Sequence, residues 1–195
     1  MALNDATLAN VIADVGATVR QVLREHIADL MPAERVVFAS PADIDITTEP
    51  RLGVFLYQVL ESAEMRNQPP EPEGLSGMRY SQTVDLFYLI TPYTQQLEDA
   101  HRLLGQVMRV FVDHAVLHGS LLQGSLADIG QALRLLLHPI TIEELNRLWG
   151  LFPNRPYRLS LAYQVTPVKI VGSLRAAAGR VITRQVDYAQ VLERR

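Results

Sequence analysis

Apolar residues recur along the chain with two different periods, and these periods predict its helices and strands. Over residues 5–30 they return every three to four positions, which is the spacing of one helical face; they are Leu8, Val11, Ile12, Val15, Val19, Val22, Leu23 and Ile27. A second stripe of this kind predicts a helix over 95–113. Runs rich in apolar and aromatic residues predict strands over 52–60 and 83–91, and the first is apolar on both faces, as in a central strand.

The segment from 133 to 168 contains the densest set of local signals. Leucines alternate with other residues over 133–137 and predict a strand, which Pro139 ends because proline cannot donate to a strand ladder. Thr141 followed by Glu144 forms a capping box, which predicts a helix start. The apolar face of that helix is Leu145, Leu148, Trp149 and Phe152. A new alternation over 157–166 predicts the next strand.

Weaker signals complete the prediction. Residues 36–38 and 44–47 are short extended pieces separated by Pro41, and the spacing over 115–122 favours a short helix. From 61 to 82 the chain is rich in Pro, Gly and Glu, which predicts a long polar connection between two strands or a hairpin with an oversized tip.

The order of these elements predicts an α+β fold. It is a two-layer sandwich in which a mixed, mostly antiparallel sheet carries helices packed mainly on one face. Consecutive early strands favour antiparallel pairing, whereas the late helix between two strands permits one parallel crossover. We divide the chain into a domain over 1–174 and a C-terminal tail over 175–195.

Composition limits the classes of function. At 195 residues the chain is long enough to bury a core as one domain. The net charge of −3 argues against a general nucleic-acid binder, and no apolar run reaches the roughly 20 residues of a membrane span. The absence of cysteine excludes disulfides and thiolate chemistry.

Histidines offer the strongest alternative chemistry. His114 and His118 lie four positions apart, His101 lies on the preceding helix, and Asp113 could add a carboxylate ligand. The metalloprotease pattern requires Glu after the first His, and Ala115 stands there. We therefore predict that the chain is not an enzyme and has no catalytic residue, cofactor or metal. A metal-dependent enzyme around His101, Asp113 and His114 remains the alternative.

Several of these segments together resemble the tail-terminator, or cap, proteins of phage-tail-like contractile injection systems, specifically their N-terminal domain. The matching pieces are MALNDATLANVIADV at the start, VDLFYLITPY (84–93), EELNRLW (143–149) and FPNRPYRLSLAYQVTPV (152–168). The resemblance spans roughly residues 2–174. It implies the same α+β fold.

The resemblance also implies a function. Such a protein would form a homohexameric ring that caps the distal end of the tail tube and sheath and terminates their polymerisation. Its partners would be further copies of itself, the tube protein and the sheath protein, without nucleic acid. It would assemble in the cytoplasm and become part of the injection particle. A generic oligomeric adaptor is a further alternative.

The tail adds candidates for a protein interface. It is basic and has weak strand character over 180–186, which suits an arm that docks on a partner; disorder is the other interpretation. The candidate residues are Arg175, Arg180, Val181, Ile182, Arg184, Val186 and Tyr188.

Overall fold

The computed structural model describes residues 10–45, 49–66, 69, 71–73 and 77–177, and at 71–73, 77, 129 and 173–177 it describes the backbone alone. Within these residues the helices are α1 (Val11–His26), α2 (Leu97–Asp113), α3 (Ser125–Ile129) and α4 (Ile142–Trp149). The strands are β1 (Val36–Phe38), β2 (Arg51–Glu61), β3 (Glu71–Glu73), β4 (Gly77–Tyr93), β5 (Val116–Leu117), β6 (Leu133–Leu137) and β7 (Leu161–Ala177).

All of these strands belong to one sheet. Its order is β1-β2-β4-β7-β6-β5, and β3 pairs with the start of β4. Every pairing is antiparallel except that of β1 with β2. The parallel pair is therefore not the one around α4 that the sequence permits. The segment 150–160 after α4 brings the chain back so that β7 runs antiparallel to β6.

The main core lies on one face of the sheet, beneath three helices. The apolar stripe of α1 packs there with residues of α2 and with Leu126 of α3. The sheet contributes alternate residues of its strands, such as Leu86, Tyr88 and Ile90 of β4. The first two helices form because their apolar residues recur at helical spacing, and burial of those residues stabilises them.

A smaller core lies on the opposite face, beneath α4. Leu89 of β4 points to this side and packs with Leu145, Trp149 and Phe152. The capping box is present: the Glu144 N–H donates to the Thr141 hydroxyl, and the Thr141 N–H donates to the Glu144 carboxylate at 2.8 Å. The α+β fold, with a mostly antiparallel sheet and helices mainly on one face, is confirmed, and α4 adds part of a third layer.

Several elements differ from the prediction. β7 spans Leu161–Ala177 rather than 157–166, because it pairs with β4 along this length, and residues 157–160 are not strand. β4 begins at Gly77 rather than Thr83, because residues 77–79 find partners in both β3 and β7. Residues 115–122 form β5 and a 3-10 turn instead of a helix, because Val116 and Leu117 pair with β6. Helix α3 was not predicted. Leu126 anchors it in the main core, which compensates for its short length.

Candidate assembly surfaces

The strands β4 and β7 extend beyond the main core. Each is 17 residues long, or about 55 Å at the usual rise per residue, and they pair from Ile90 opposite Leu161 to Gly77 opposite Ala177. The core contacts made by β4 end at Val84. We call residues 77–82 and 171–177, with β3, the strand extension. Neither buried core includes its described side chains, so backbone pairing rather than apolar burial defines it.

The strand extension contains Arg175, one of the residues that the sequence suggests for a protein interface. Arg175 lies in β7 opposite Arg79, and its side chain is among those not described. The other nominated residues, Arg180, Val181, Ile182, Arg184, Val186 and Tyr188, lie outside the described residues. Their role stays a prediction, as does the division of the chain at residue 174, although β7 continues as strand to Ala177.

Part of the sheet face beside α4 is uncovered and forms a trough of about 690 Å³. Its floor is polar, and the Thr166 hydroxyl donates a hydrogen bond to the Asp85 carboxylate at 2.5 Å. Leu136 and Arg134 of β6 line one side, and residues 62–65 line the other. A wide trough with a hydrogen-bonded floor suits a protein partner better than a small substrate, whose sites are more enclosed and more apolar.

A second depression of about 430 Å³ lies between β2 and α4. Tyr57, His138 and Glu144 line it. Burial raises the pKa of Tyr57 to about 12, and the negative charge of Glu144 adds to the effect. The phenol therefore stays neutral at ordinary pH and remains a hydrogen-bond donor; its hydroxyl has no hydrogen-bond partner among the described residues.

Helix α2 presents an apolar stripe to solvent. Leu97 and Val112 are 77% and 75% exposed, and Met108 lies between them on the same face. Gly105 is on this stripe as well, and nothing lies within 4 Å of the position that a Cβ would occupy there. Exposed apolar side chains on one helical face are typical of protein contact surfaces.

The structure does not bring the proposed metal ligands together. His101 and His114 are 13 residues apart along α2 and its C-cap, which corresponds to about 20 Å at the helical rise. His114 instead contacts His26, with the two Nε2 atoms 2.9 Å apart, and His26 Nδ1 donates to the Val22 carbonyl. In the part of the chain that the structure describes, no group of three or more His, Cys, Asp or Glu side chains is placed to hold a metal ion.

No helix in the described ranges is both long and apolar enough to cross a membrane.

Comparison with known protein families identifies the family to which this chain belongs. The model of the family described as the Pvc16 N-terminal domain matches residues 14–184, which is most of the chain. The chain belongs to the Pvc16 N-terminal domain family. A comparison with curated protein sequences found no match.

Two solved structures with a similar fold come from contractile injection systems. The chain is similar to the sheath/tube terminator of the extracellular contractile injection system PVC, in its extended state, with 20% identity and a TM-score of 0.66 over 93% of this chain. It is also similar to the tube-terminating cap of the anti-feeding prophage, with 22% identity and a TM-score of 0.60 over 92% of this chain. The chain spans 64% and 61% of those two proteins. The family and fold that the resemblance implies are confirmed.

Sequence reasoning missed surface features that the Pvc16 N-terminal domain fold creates. The pairing of His26 with His114 joins residues 88 positions apart, and no local pattern signals it. The alternation over 133–137 places Leu133, Leu135 and Leu137 on one strand face, but only Leu133 and Leu135 are buried and Leu137 is exposed. The alternation could not show that the cover over β6 ends before residue 137.

Proposed function

We propose that this chain forms a homohexameric ring that caps the distal end of the tail tube and sheath of a contractile injection system and stops their growth. The observation that carries the proposal is the family match over residues 14–184, together with a fold shared over more than nine-tenths of the chain with a sheath/tube terminator and a tube-terminating cap. The role is structural and not enzymatic. The protein assembles in the cytoplasm and remains in the particle.

The physical requirement for termination is an asymmetric ring. A tube of stacked rings grows because each ring offers the next a complementary, heterologous surface, and such contacts do not close by themselves. A terminator must match the last ring on one side and offer no equivalent surface on the other. The two ends of the strands differ in the required way, since the strand extension carries β4 and β7 beyond the main core at one end.

The strand extension and the C-terminal tail are suited to hold the sheath. The extension carries the end of β7 away from the main core, so the tail continues from its tip region. Val181, Ile182 and Val186 provide the strand character needed to add to the sheet edge of a sheath subunit, and Arg175, Arg180 and Arg184 can pair with acidic neighbours. Tyr188 can add an apolar anchor.

Particle assembly with and without the protein tests termination directly. We expect tubes assembled in its absence to vary in length or to be overlong, and addition of the wild-type chain to restore one length in electron micrographs. A Trp149→Ala variant presents the same surfaces on a fold that is weakened at the smaller core. It serves as the control for loss of stability. Particles of normal, uniform length and with intact sheaths in the absence of the protein would refute the proposal.

Truncation after Ala177 tests the role of the tail. Removing residues 178–195 preserves the pairing of β7 with β4, so the number of subunits in the ring, obtained from its solution mass, should not change while retention of sheath in a pull-down falls. Two matched variants of the full chain separate the causes: Val181, Ile182 and Val186 changed to Ser, and Arg180 and Arg184 changed to Gln. Unchanged sheath retention in the truncated protein would show that the tail is not the sheath contact.

A further inference from the structure

The sheet has two open edges, one at each end of the described fold. On β2, β1 pairs only with Leu52–Val54, so no described strand lies beside residues 55–61 on that side. On β6, β5 pairs with Leu133 and Arg134, and the Leu135 N–H still donates to the Ala115 carbonyl at 2.9 Å. Leu137 lies beyond this cover. Open edges are templates for pairing with another chain.

The directions of the free hydrogen-bonding groups follow from their neighbours. The Ser62 N–H donates to Thr83 of β4, and the peptide groups of a strand alternate in direction, so those of Val59 and Glu61 point away from β4. The His138 N–H donates to Ala162, next to β7, so the peptide groups of Leu137 point away from β7. Val59 and Leu137 therefore each present one donor and one acceptor at an open edge.

The side chains at these positions are apolar and half-exposed on both faces of the sheet. Exposed fractions are 43% for Val59, 46% for Leu60, 45% for Leu136 and 52% for Leu137. Leu60 is opposite Asp85 and Leu136 is opposite Gln164, and these four lie on the face that carries α4. Val59 and Leu137 lie on the face of the main core, opposite Leu86 and Tyr163.

We propose that the β2 edge of one copy pairs antiparallel with the β6 edge of the next, with Val59 opposite Leu137 and Leu60 opposite Leu136. The inference rests on the proposed ring and specifies its subunit interface. β2 and β6 run in opposite directions within the sheet, so a rotation about an axis along the strands brings them together antiparallel. Val59 and Leu137 then exchange two hydrogen bonds, and each pair places two apolar side chains on one face.

The partner of each open edge is a second copy of this chain, because the two edges complement each other. They differ from one another, as the heterologous contact of a cyclic ring requires. Neither open segment contains the Lys or Pro that usually protects an exposed edge, since residues 55–61 read FLYQVLE and 135–138 read LLLH. The pairing extends to Gln58 opposite His138, which gives a polar pair, and stops at Pro139, which cannot donate.

Paired cysteines test the register, because the chain contains no cysteine of its own. In a double variant with Leu60→Cys and Leu136→Cys, the two sites form a non-hydrogen-bonded pair across the interface, with Cα atoms about 4.5 Å apart, which a disulfide can span. Within one chain they are three strand spacings apart, about 14 Å, which is too far. Mild oxidation of the purified protein and of assembled particles should give a ladder of covalent multimers that reductant converts to monomer.

The matched control is Leu60→Cys with Leu137→Cys. It has the same number of cysteines at similarly exposed sites, but the thiols face opposite sides of the sheet and should cross-link at least tenfold less. Val59→Cys with Leu137→Cys should cross-link as the first pair does. Circular dichroism of the reduced proteins checks that all variants fold.

Each outcome bears on the inference. Multimers from the two same-face pairs, but not from the control, support it. Equal cross-linking of the control, or no cross-linking of the same-face pairs while the wild-type protein has the mass of a ring, overturns the edge pairing but not the ring or its capping role. Cross-linking of either edge to tube or sheath protein instead of to a second copy also overturns it. Particle length, measured with the same variants in reductant, tests capping separately.

Discussion

Truncation of Trp149 to alanine should destabilise the protein through the smaller core. Trp149 is 4% exposed and packs beneath α4 against Leu89 and Phe152. Its ring centroid lies 6.1 Å from that of Phe152 and 6.0 Å from that of Tyr157, both in edge-to-face arrangements. Removal of the indole leaves a cavity between the helix and the sheet, because its neighbours are held by strand pairing and by the capped helix.

The magnitude follows from the buried area and one opposing term. An indole buries about 200 Å², which at about 25 cal/mol per Å² corresponds to roughly 5 kcal/mol as an upper bound. The indole Nε1–H is buried and has no hydrogen-bond partner among the described residues, and its removal recovers about 1 kcal/mol. The expected loss is therefore about 4 kcal/mol, within the range for large aromatic truncations.

Urea titration followed by circular dichroism measures this loss. Fluorescence is unsuitable because Trp149 is the only tryptophan. The matched control is Leu151→Ala, since Leu151 follows the same helix and is 70% exposed, and it should change stability by less than about 0.5 kcal/mol. Trp149→Phe should cost less than half of the alanine loss, because it keeps an aromatic ring and removes the unpaired donor. Two protein concentrations separate folding from self-association.

A loss below about 1 kcal/mol for Trp149→Ala, similar to that of the Leu151 control, would refute the reasoning. It would mean that α4 contributes little to the stability of the sheet. The smaller core would then be an adjunct to the main core and not a part of the cooperative fold.

Three further predictions concern the capping box, the tyrosines and the polar connection. Thr141→Ala should lower the free energy of unfolding by about 1 kcal/mol in the same titration, as for loss of other N-caps. Hydrogen bonds from Thr141 lower the pKa of Glu144 from 4.5, so the contribution of ionised Glu144 to helix stability is present above pH 4.5 and is lost as pH falls below it. Glu144→Gln should flatten that acid dependence. Burial raises the pKa of Tyr57 and of Tyr93 to about 12 and also raises the pKa of Tyr88 and of Tyr163, so stability should be complete below pH 10 and fall as pH rises towards 12. A spectrophotometric titration of the folded protein should show that these phenols ionise later than free tyrosine, and Tyr57→Phe should remove one of them. Replacement of residues 65–76 by a short Gly-Ser linker should lower the melting temperature by less than about 4 °C, the effect of roughly 1 kcal/mol in a domain of this size; loss of soluble protein would show that this connection is packed.

Local signals were sufficient where the cause of a structure lies within a few residues. Thr141 and Glu144 are three positions apart, and the capping box forms as predicted. The apolar stripe of α1 likewise falls on the buried face, as does most of the α2 stripe, although Leu97 and Met108 of α2 are exposed. Six aromatic residues are buried: Phe87, Tyr88, Tyr93, Trp149, Phe152 and Tyr163.

These local signals could not predict the pairing between distant segments. Residues 77–82 lie outside both buried cores, and they form strand because β7 supplies partners about 90 to 100 positions later. Residues 115–122 have a helical spacing, and two of them become extended because β6 offers an edge. In both cases the backbone hydrogen bonds of a neighbouring strand outweigh a weak local preference.

The sequence alone determined the helices with strong apolar periodicity, the strands that cross the cores, the α+β class and the resemblance to cap proteins, because each depends on residue types at short, regular spacing. Only the tertiary structure decided which strand edges remain open, that His26 and not His101 meets His114, and that Val59, Leu60, Leu136 and Leu137 are half-exposed. The physical reason is that exposure is a property of what the rest of the chain leaves uncovered. A strand pattern specifies two faces, whereas the cover over its edge depends on the lengths of β1 and β5, which end after three and two residues.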